Sequence, residues 1–367
     1  MAPTPARVLF VSSSLGGGGA ERYVSTVLGE LDRDRFAPEL CVFHPQRDYP
    51  LPEDVPLTWI PKPGPPGLLP AIWRLARVVD RRRPDIVVSA FSSPSFVTGN
   101  ALALAGHRPR WLARVSSDPA DTEPGRLLRR WMRALYARAD RVAANAHYLC
   151  RRVEEVHTPP GGVEYLPNAT DFEAIERLAR EEAPTAPAGR LRVISVGRLE
   201  TVKRFELLVE AAGRLVRHLD LELVILGEGA ERARLQARAE ELGVELLLPG
   251  FTPNPWAWLA RADLFALCSR TEGMPNALVE AQGLGLAAVV TSGYTGAVEV
   301  VEDGSTGRVV SRADAAALSE AIGELLGADA SRRRAIAARA ELRARAGFSA
   351  GPSTRSLEVM LQELAER

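Results

Sequence analysis

The chain alternates short apolar runs with stretches of helical period, and it does so in two successive series. A run such as RVLFVSS (7–13) is too short for a helix, whereas 20–32 repeats its apolar side chains at three- and four-residue spacing. Strand and helix in strict alternation is the pattern of a parallel sheet with helical crossovers. In the first series strands are predicted at 7–13, 40–44, 85–90, 111–115 and 141–144, ending around 165–168, with helices at 20–32, 68–82, 125–138 and 146–156. A helix at 172–182 and the Pro-, Ala- and Gly-rich APTAPAG (183–189) follow, and the latter reads as a linker. The second series has strands at 191–197, 221–227, 244–250, 263–268, 286–292 and 307–310, then helices near 313–327, 331–345 and 353–366. Its 367 residues suit two α/β domains: 1–170, 171–345, and a last helix, 346–367, expected to pack back on the first. Ligands of open parallel sheets sit beyond the carboxyl ends of the strands. The expected site is therefore a cleft lined by loops such as 12–20, 197–204, 227–231 and 269–280.

Composition narrows the partners. Basic and acidic residues number 46 each, which gives no electrostatic case for nucleic acid. Residues 1–170 hold 22 basic and 17 acidic side chains and the rest 24 and 29. A positive first half would suit an anionic acceptor or a membrane surface, and composition scatter explains it as well. Cys41, Cys150 and Cys268 are far apart, odd in number and without metal-ligand spacing, as in a reducing compartment. Met1–Arg7 leads straight into a strand and does not read as a signal peptide. No apolar run reaches the ~18 residues of a membrane span. The expected location is cytoplasmic, at most membrane-peripheral. Residues 126–141, RLLRRWMRALYARADR, carry six arginines beside Trp131, Met132 and Tyr136. They suit a membrane-surface patch, or an ordinary amphipathic helix that buries 127, 128, 131, 132, 135 and 136, and the ordinary helix is the preferred reading.

The segment SRTEGMPNALVEAQGLG (269–285) holds the most chemistry. Glu272 falls in a loop after an apolar strand and Glu280 on the helix that follows, seven residues between them. Pro275 suits a first helical turn, and Gly273 allows close backbone approach. The amides of Asn276, Ala277 and Leu278 would point out of a helix start, which favours an anion. A loop carboxylate can accept from sugar hydroxyls, and one two turns into the helix can accept from a ribose.

Glu272 and Glu280 match the E-x7-E element of family 4, the retaining glycosyltransferases of the GT-B fold. GGGGAERYV (16–24) resembles that family's first glycine loop, VGRLETVKRFELLVEA (196–211) its arginine–lysine phosphate motif, LGEGAERARLQARAEELGV (226–244) the next βα unit, and EVVEDGSTGRVV (299–310) the closing segment. The resemblance implies a GT-B fold of two Rossmann-like domains with an interdomain cleft. It also implies retaining transfer of a hexose-type sugar from a nucleotide diphosphate, a UDP-sugar first, to a hydroxyl of a glycan, lipid-linked or small natural-product acceptor. Arg198 and Lys203 would then neutralise the departing diphosphate in place of a metal. Gly17, Gly18, Gly227, Gly229, Phe251, Thr252, Gly273 and Met274–Leu278 would bind the donor together with Glu280, and Glu21 and Ser117 would meet the acceptor. Glu21 also reads as a plain first-turn glutamate.

Other readings meet specific obstacles. As a dinucleotide fingerprint, Gly16–Gly19 would need a third glycine where Glu21 stands. Asp32-Arg33-Asp34 resembles a metal motif but falls at a helix end, and no metal is expected. Many family members carry a histidine after the strand equivalent to 111–115. Here the stretch is ARVSSDPA, so Asp118 or Ser117 could contact the sugar, or Asp118-Pro119 could simply cap a turn. SGYTGAVE (292–299) lacks the family's usual proline, which leaves its shape open although it could still line the donor. His147 reads as a surface residue at a helix start. The competing functions are a nucleotide-sugar epimerase or hydrolase on the same fold, and a catalytically silent glycan-binding subunit.

Overall fold

The structure, a computed structural model, describes residues 4–62, 64–311 and 313–366. It divides into two compact units, Met1–Thr170 with Ala350–Arg367, and Asp171–Ser349.

In the first unit the order is β1 (Ala6–Ser12), α1 (Gly19–Glu30), β2 (Phe36–Val42), β3 (Leu57–Trp59), α2 (Leu68–Arg82), β4 (Ile86–Ala90), α3 (Ser92–Leu104), β5 (Arg110–Val115), α4 (Pro119–Thr122), α5 (Arg126–Tyr136), β6 (Arg141–Ala144), α6 (His147–His157) and β7 (Glu164–Tyr165). The strands form one parallel sheet in the order β3-β2-β1-β4-β5-β6-β7. β4, IVVSA, is buried at every position, as a strand covered by helices on both faces must be.

The second unit begins with α7 (Phe172–Ala179). It continues through β8 (Leu191–Val196), α8 (Phe205–Leu215), β9 (Leu221–Leu226), α9 (Arg232–Leu242), β10 (Glu245–Gly250), α10 (Trp256–Leu259), β11 (Leu264–Leu267), β12 (Thr271–Glu272), α11 (Asn276–Gly283), β13 (Ala288–Thr291), β14 (Tyr294–Thr295), α12 (Ala297–Val300), β15 (Gly307–Val310), α13 (Ala315–Leu326) and α14 (Ala330–Phe348). Six strands make a parallel sheet in the order β10-β9-β8-β11-β13-β15, and β12 pairs with β14 in a small parallel ribbon. One charged pair lies inside this core: Arg192 on β8 donates to Glu222 on β9 at 2.6 Å, both essentially sealed from water. The last helix, α15 (Ala350–Ala365), belongs to the first unit and packs on α1.

Three expectations need correction. APTAPAG is not a joint between domains; it lies within the second unit, where Arg192 donates to the carbonyl of Pro184 and Arg190 N–H to that of Pro187. The reason is α7, whose Phe172, Ile175 and Ala179 are buried in the second unit. A Cβ on Gly283 of α11 would fall 2.0 Å from the Phe172 ring. The sequence reading also missed β3 and α3. β3 has three residues, two of them exposed. α3, SSPSFVTGNALAL, has the Ser, Pro and Gly content of a loop, and packing against α2 and α5 makes it helical.

Candidate active site

Three adjacent parallel strands of the second unit run out into glycine: Gly197 follows β8, Gly227 follows β9, and Gly250 is the last residue of β10. Gly197 N–H donates to the Leu226 carbonyl and Gly227 N–H to that of Gly250, both at 2.9 Å. A Cβ on Gly227, at φ +145°, would lie 2.0 Å from the Gly197 oxygen, and one on Gly229 2.3 Å from the Leu199 oxygen. The strand ends therefore present bare backbone, a surface a ligand can approach closely. Beyond Gly250, Phe251 is 64% exposed and Thr252 half-buried.

The turn after β8 carries the cations. Thr201–Lys203 is a 3-10 turn, and Arg204 takes a left-handed conformation (φ 52°) to start α8. Lys203 points its Nζ at Glu272 Oε1, forming an ion pair in which both side chains are more than four-fifths buried. Ser269 Oγ donates to the same carboxylate oxygen at 2.8 Å. Backbone bonds brace this contact: Arg270 N–H donates to the Val202 carbonyl at 2.8 Å, and Cys268 Sγ lies 3.0 Å from the Arg204 carbonyl. Burial pushes the Cys268 thiol up to about 12. The turn after β8 and the loop after β11 thus behave as one piece. Arg198 is not part of it; it is 74% exposed and its guanidinium reaches Glu200 at 2.7 Å.

Glu272 belongs to β12, and β14 holds it from the other side. Thr271 and Glu272 pair with Tyr294 and Thr295, and Gly296 N–H donates to the Gly273 carbonyl at 2.8 Å. The loop 292–299, whose shape the sequence left open, is therefore the brace of the glutamate loop. Met274 is buried, and Pro275 is the residue before α11 rather than inside its first turn, with no side chain capping the amides that follow. Asn276 and Ala277 are half-buried and Leu278 is buried. Glu280 is buried in α11, about one turn from its start rather than two, its Oε2 accepting from the Trp256 indole at 2.8 Å. Sequence reasoning missed Trp256, Ser269 and the β14 brace. Ser269 stood inside the motif, whereas nothing in NPWAWLA marked Trp256 as the partner of Glu280.

In the first unit the candidates are engaged differently. Gly17 is left-handed (φ +82°), and Gly18 precedes α1 with no side-chain cap. Glu21 folds back over that start, so that a Cβ on Gly18 would meet its Oε2 at 2.3 Å. Asp118 is buried. Its Oδ1 accepts from the Ala120 N–H at 2.7 Å as the cap of α4, and its Oδ2 accepts from Tyr148 at 3.0 Å and Arg152 at 3.3 Å. Burial, then the Asp118 carboxylate, drives the Tyr148 phenol far above its ordinary range. Of the two readings of Asp118, the turn cap describes what its oxygens do. Ser117 is half-buried in the preceding bend, and the exposed His147 opens α6 and stacks on Tyr165 at 4.0 Å. Asp32 and Asp34 form a turn closed by Asp34 N–H on Asp32 Oδ1 at 2.9 Å. Among the described residues no group of three or more His, Cys, Asp or Glu side chains is placed to hold a metal ion.

Comparison with known proteins decides the family. Residues 177–342 match the model of glycosyl transferases group 1, and residues 17–174 that of glycosyltransferase family 4. An N-acetylgalactosaminyltransferase of Campylobacter jejuni, which acts on N-acetylgalactosamine-N,N'-diacetylbacillosaminyl-diphospho-undecaprenol, is 30% identical over 312 residues, 81% of this chain and 84% of its own. The chain belongs to glycosyltransferase family 4. A second relative of this glycosyltransferase is the GDP-mannose-dependent alpha-(1-6)-phosphatidylinositol monomannoside mannosyltransferase of Mycolicibacterium smegmatis, 27% identical over 349 residues, 87% of this chain and 88% of that one. The fold is shared with the Anabaena protein HepE in complex with UDP and glucose (TM-score 0.81, 19% identity, 97% of this chain and 99% of that one). It is also shared with sucrose-phosphate synthase of Thermosynechococcus elongatus (TM-score 0.83, 16% identity, 98% and 99%). This is the GT-B fold. The glycosyltransferase is an enzyme that takes sugars from nucleotide-sugar donors.

Proposed function

We propose that this glycosyltransferase moves a hexose-type sugar from UDP to a hydroxyl of a lipid-linked glycan, with retention at the anomeric carbon and without a metal. One observation carries the reading: the buried Lys203–Glu272 pair, held beside bare backbone at the strand ends of the second unit. Lys203 is positioned to share its charge between Glu272 and a departing diphosphate, whose developing negative charge it would stabilise in a site sheltered from water. Arg198, exposed in this state, would turn from Glu200 to the phosphates as the second cation. The start of α11, which no side chain caps, presents the Asn276 and Ala277 amides to the same anion, while the Leu278 N–H, expected to join them, donates to the Pro275 carbonyl at 3.1 Å. Glu280, oriented by Trp256, would accept from the ribose, and Phe251 and Thr252 would border the base. Glu272 would hold the sugar hydroxyls. The acceptor oxygen attacks from the face the diphosphate leaves, with the diphosphate taking its proton, so no protein nucleophile is needed. The lipid-linked acceptor follows the Campylobacter relative, which acts on a diphospho-undecaprenol glycan.

The test is a thermal-shift screen of UDP-, GDP-, ADP- and TDP-sugars, followed by NMR of the product's anomeric configuration with and without EDTA. A UDP-sugar well above its Kd should stabilise by a few kcal/mol, and EDTA should leave turnover unchanged. Inversion, loss of activity in EDTA, or stabilisation by another nucleotide alone would each remove the corresponding part of the proposal.

A further inference from the structure

The outer side of the α2–α3–α5 layer in the first unit combines two properties that water-facing helices rarely share. α3 lies between α2 and α5 and contains no charged residue. Its inner positions, Pro94, Val97, Thr98 and Ala101 among them, are buried; of those not buried, Ser92, Ser93 and Asn100 are polar but uncharged, and Phe96 and Leu102, half-buried, and Leu104, 64% exposed, are apolar. On either side stand large exposed apolar side chains, Leu69 (76%) and Trp73 (55%) on α2 and Leu127 (78%) and Trp131 (49%) on α5. Trp131 packs on Phe96 with centroids 5.1 Å apart, so the apolar surface is continuous from α5 onto α3. The preferred reading of 126–141 as an ordinary amphipathic helix is therefore half right: Met132, Leu135 and Tyr136 are buried, but Leu127 and Trp131 face out.

The second property is charge. In a chain of net charge zero, residues 68–83 and 126–138 carry ten arginines and one acid, Asp80. The Arg77 guanidinium sits 4.6 Å from the Trp73 ring centroid, a cation over an exposed aromatic. Tryptophan with its amphipathic ring, leucine and long-stemmed arginine are the side chains that settle at a lipid–water boundary, the first two in the acyl region and the last among the headgroups.

We propose that this face docks onto a bilayer containing anionic phospholipids. Charge decides the occupant. Arg82 is paired with Glu39 and Arg133 bonds to Thr158, but Arg77 and Arg130, beside the exposed tryptophans, lie on arginine-rich helices, so a second copy would bring like charge against like, which repulsion opposes, and a neutral partner would supply no counter-charge. An anionic leaflet supplies acyl contact for α3 and its neighbours and headgroup charge for both flanks. Attachment is peripheral, since among the described residues no helix is long and apolar enough to cross a membrane. α3 starts just past the carboxyl end of β4 and α2 runs down to the amino end of β4, so Leu69, Trp73 and Phe96 lie toward the sheet's carboxyl edge. The glycine loop after β1 is at that same edge. The surface thus supplies the membrane that a lipid-linked acceptor requires, but it rests on none of the donor-site residues.

The experiment is flotation of the whole protein with phosphatidylcholine vesicles, with and without phosphatidylglycerol. Wild type should partition about tenfold or more in favour of the anionic vesicles and less so as salt rises. Trp73→Ser/Trp131→Ser and Arg77→Glu/Arg130→Glu should each lower that partition about tenfold or more, with melting temperature and nucleotide-sugar thermal shift unchanged. Equal partition onto neutral vesicles, no partition, or unaltered flotation of both double variants would overturn the proposal. So would sedimentation showing that the tryptophan substitutions dissolve an oligomer while flotation persists. If no nucleotide sugar binds yet flotation behaves as described, the donor-site reading fails and the docking surface stands.

Discussion

In the second unit, the loop after β11 is bonded to the turn after β8: Lys203 to Glu272, Arg270 to Val202, Cys268 to the carbonyl of Arg204. In the first unit, the loop after β5 is bonded to the helices behind it, Asp118 to α4 and α6. Both loops leave the carboxyl edge of a parallel sheet, the place where such sheets hold ligands. One directs its charged groups toward each other at the strand ends; the other spends its carboxylate on holding helices. A carboxylate at a strand end is thus a functional candidate when its partner is a cation at the strand ends, as Lys203 is to Glu272, rather than the helices behind the sheet.

The largest effect that can break this contrast is expected at Lys203. Lys203→Ala should lower kcat by about 10²- to 10³-fold, the loss typical of removing one group that stabilises developing charge, while the protein still melts cooperatively. Normal turnover would undo the phosphate assignment. Next comes Gly227→Ala. With φ at +145° and the added Cβ 2.0 Å from the Gly197 oxygen, the substitution should cost about 3 kcal/mol of stability. Urea denaturation measures it, and a cost near zero would mean that the Gly227 and Gly197 backbones do not approach as closely as described.

The same contrast explains what the sequence disclosed. Both sheets were legible because strands buried on two faces are short apolar runs whatever their partners, as IVVSA and LELVIL are. The proposed donor site was legible because its parts, 196–203 and 269–280, are contiguous stretches whose spacing carries their geometry. Trp256 was not, because its bond to Glu280 joins residues 24 apart through tertiary packing alone. The role of APTAPAG was misread because composition reports flexibility and not which unit a loop serves; burial of Phe172 settles that. α3 was missed because a helix packed between two others needs neither charge nor strong intrinsic propensity.

A smaller effect sharpens the first-unit side. Asp118→Asn should cost about 1–2 kcal/mol of stability, because an amide nitrogen would replace an oxygen that accepts from Tyr148 and Arg152. Its kcat should stay within about twofold of wild type, since no reacting group is removed. A drop of a hundredfold at unchanged stability would instead make Asp118 a sugar contact and erase the difference between the two loops.

The smallest effect is at two of the three cysteines, Cys41 in the first unit and Cys268 in the second. Burial raises both Cys41 and Cys268 to about 12. Each folded unit therefore holds its thiol neutral, and the stability this contributes is complete below pH 9.0 and falls as pH rises from there toward about 12. Near neutral pH neither should react with iodoacetamide except through opening of the structure. Cys268 lies directly behind the lysine turn, 3.4 Å from the Lys203 carbonyl, so its alkylation rate reports that turn, whereas Cys41, on β2, reports the first sheet. A bound nucleotide sugar should slow Cys268 and leave Cys41 unchanged. If it slows both alike, opening is global and the second unit does not hold the donor as a separate rigid piece. If it slows only Cys41, the donor binds the other unit.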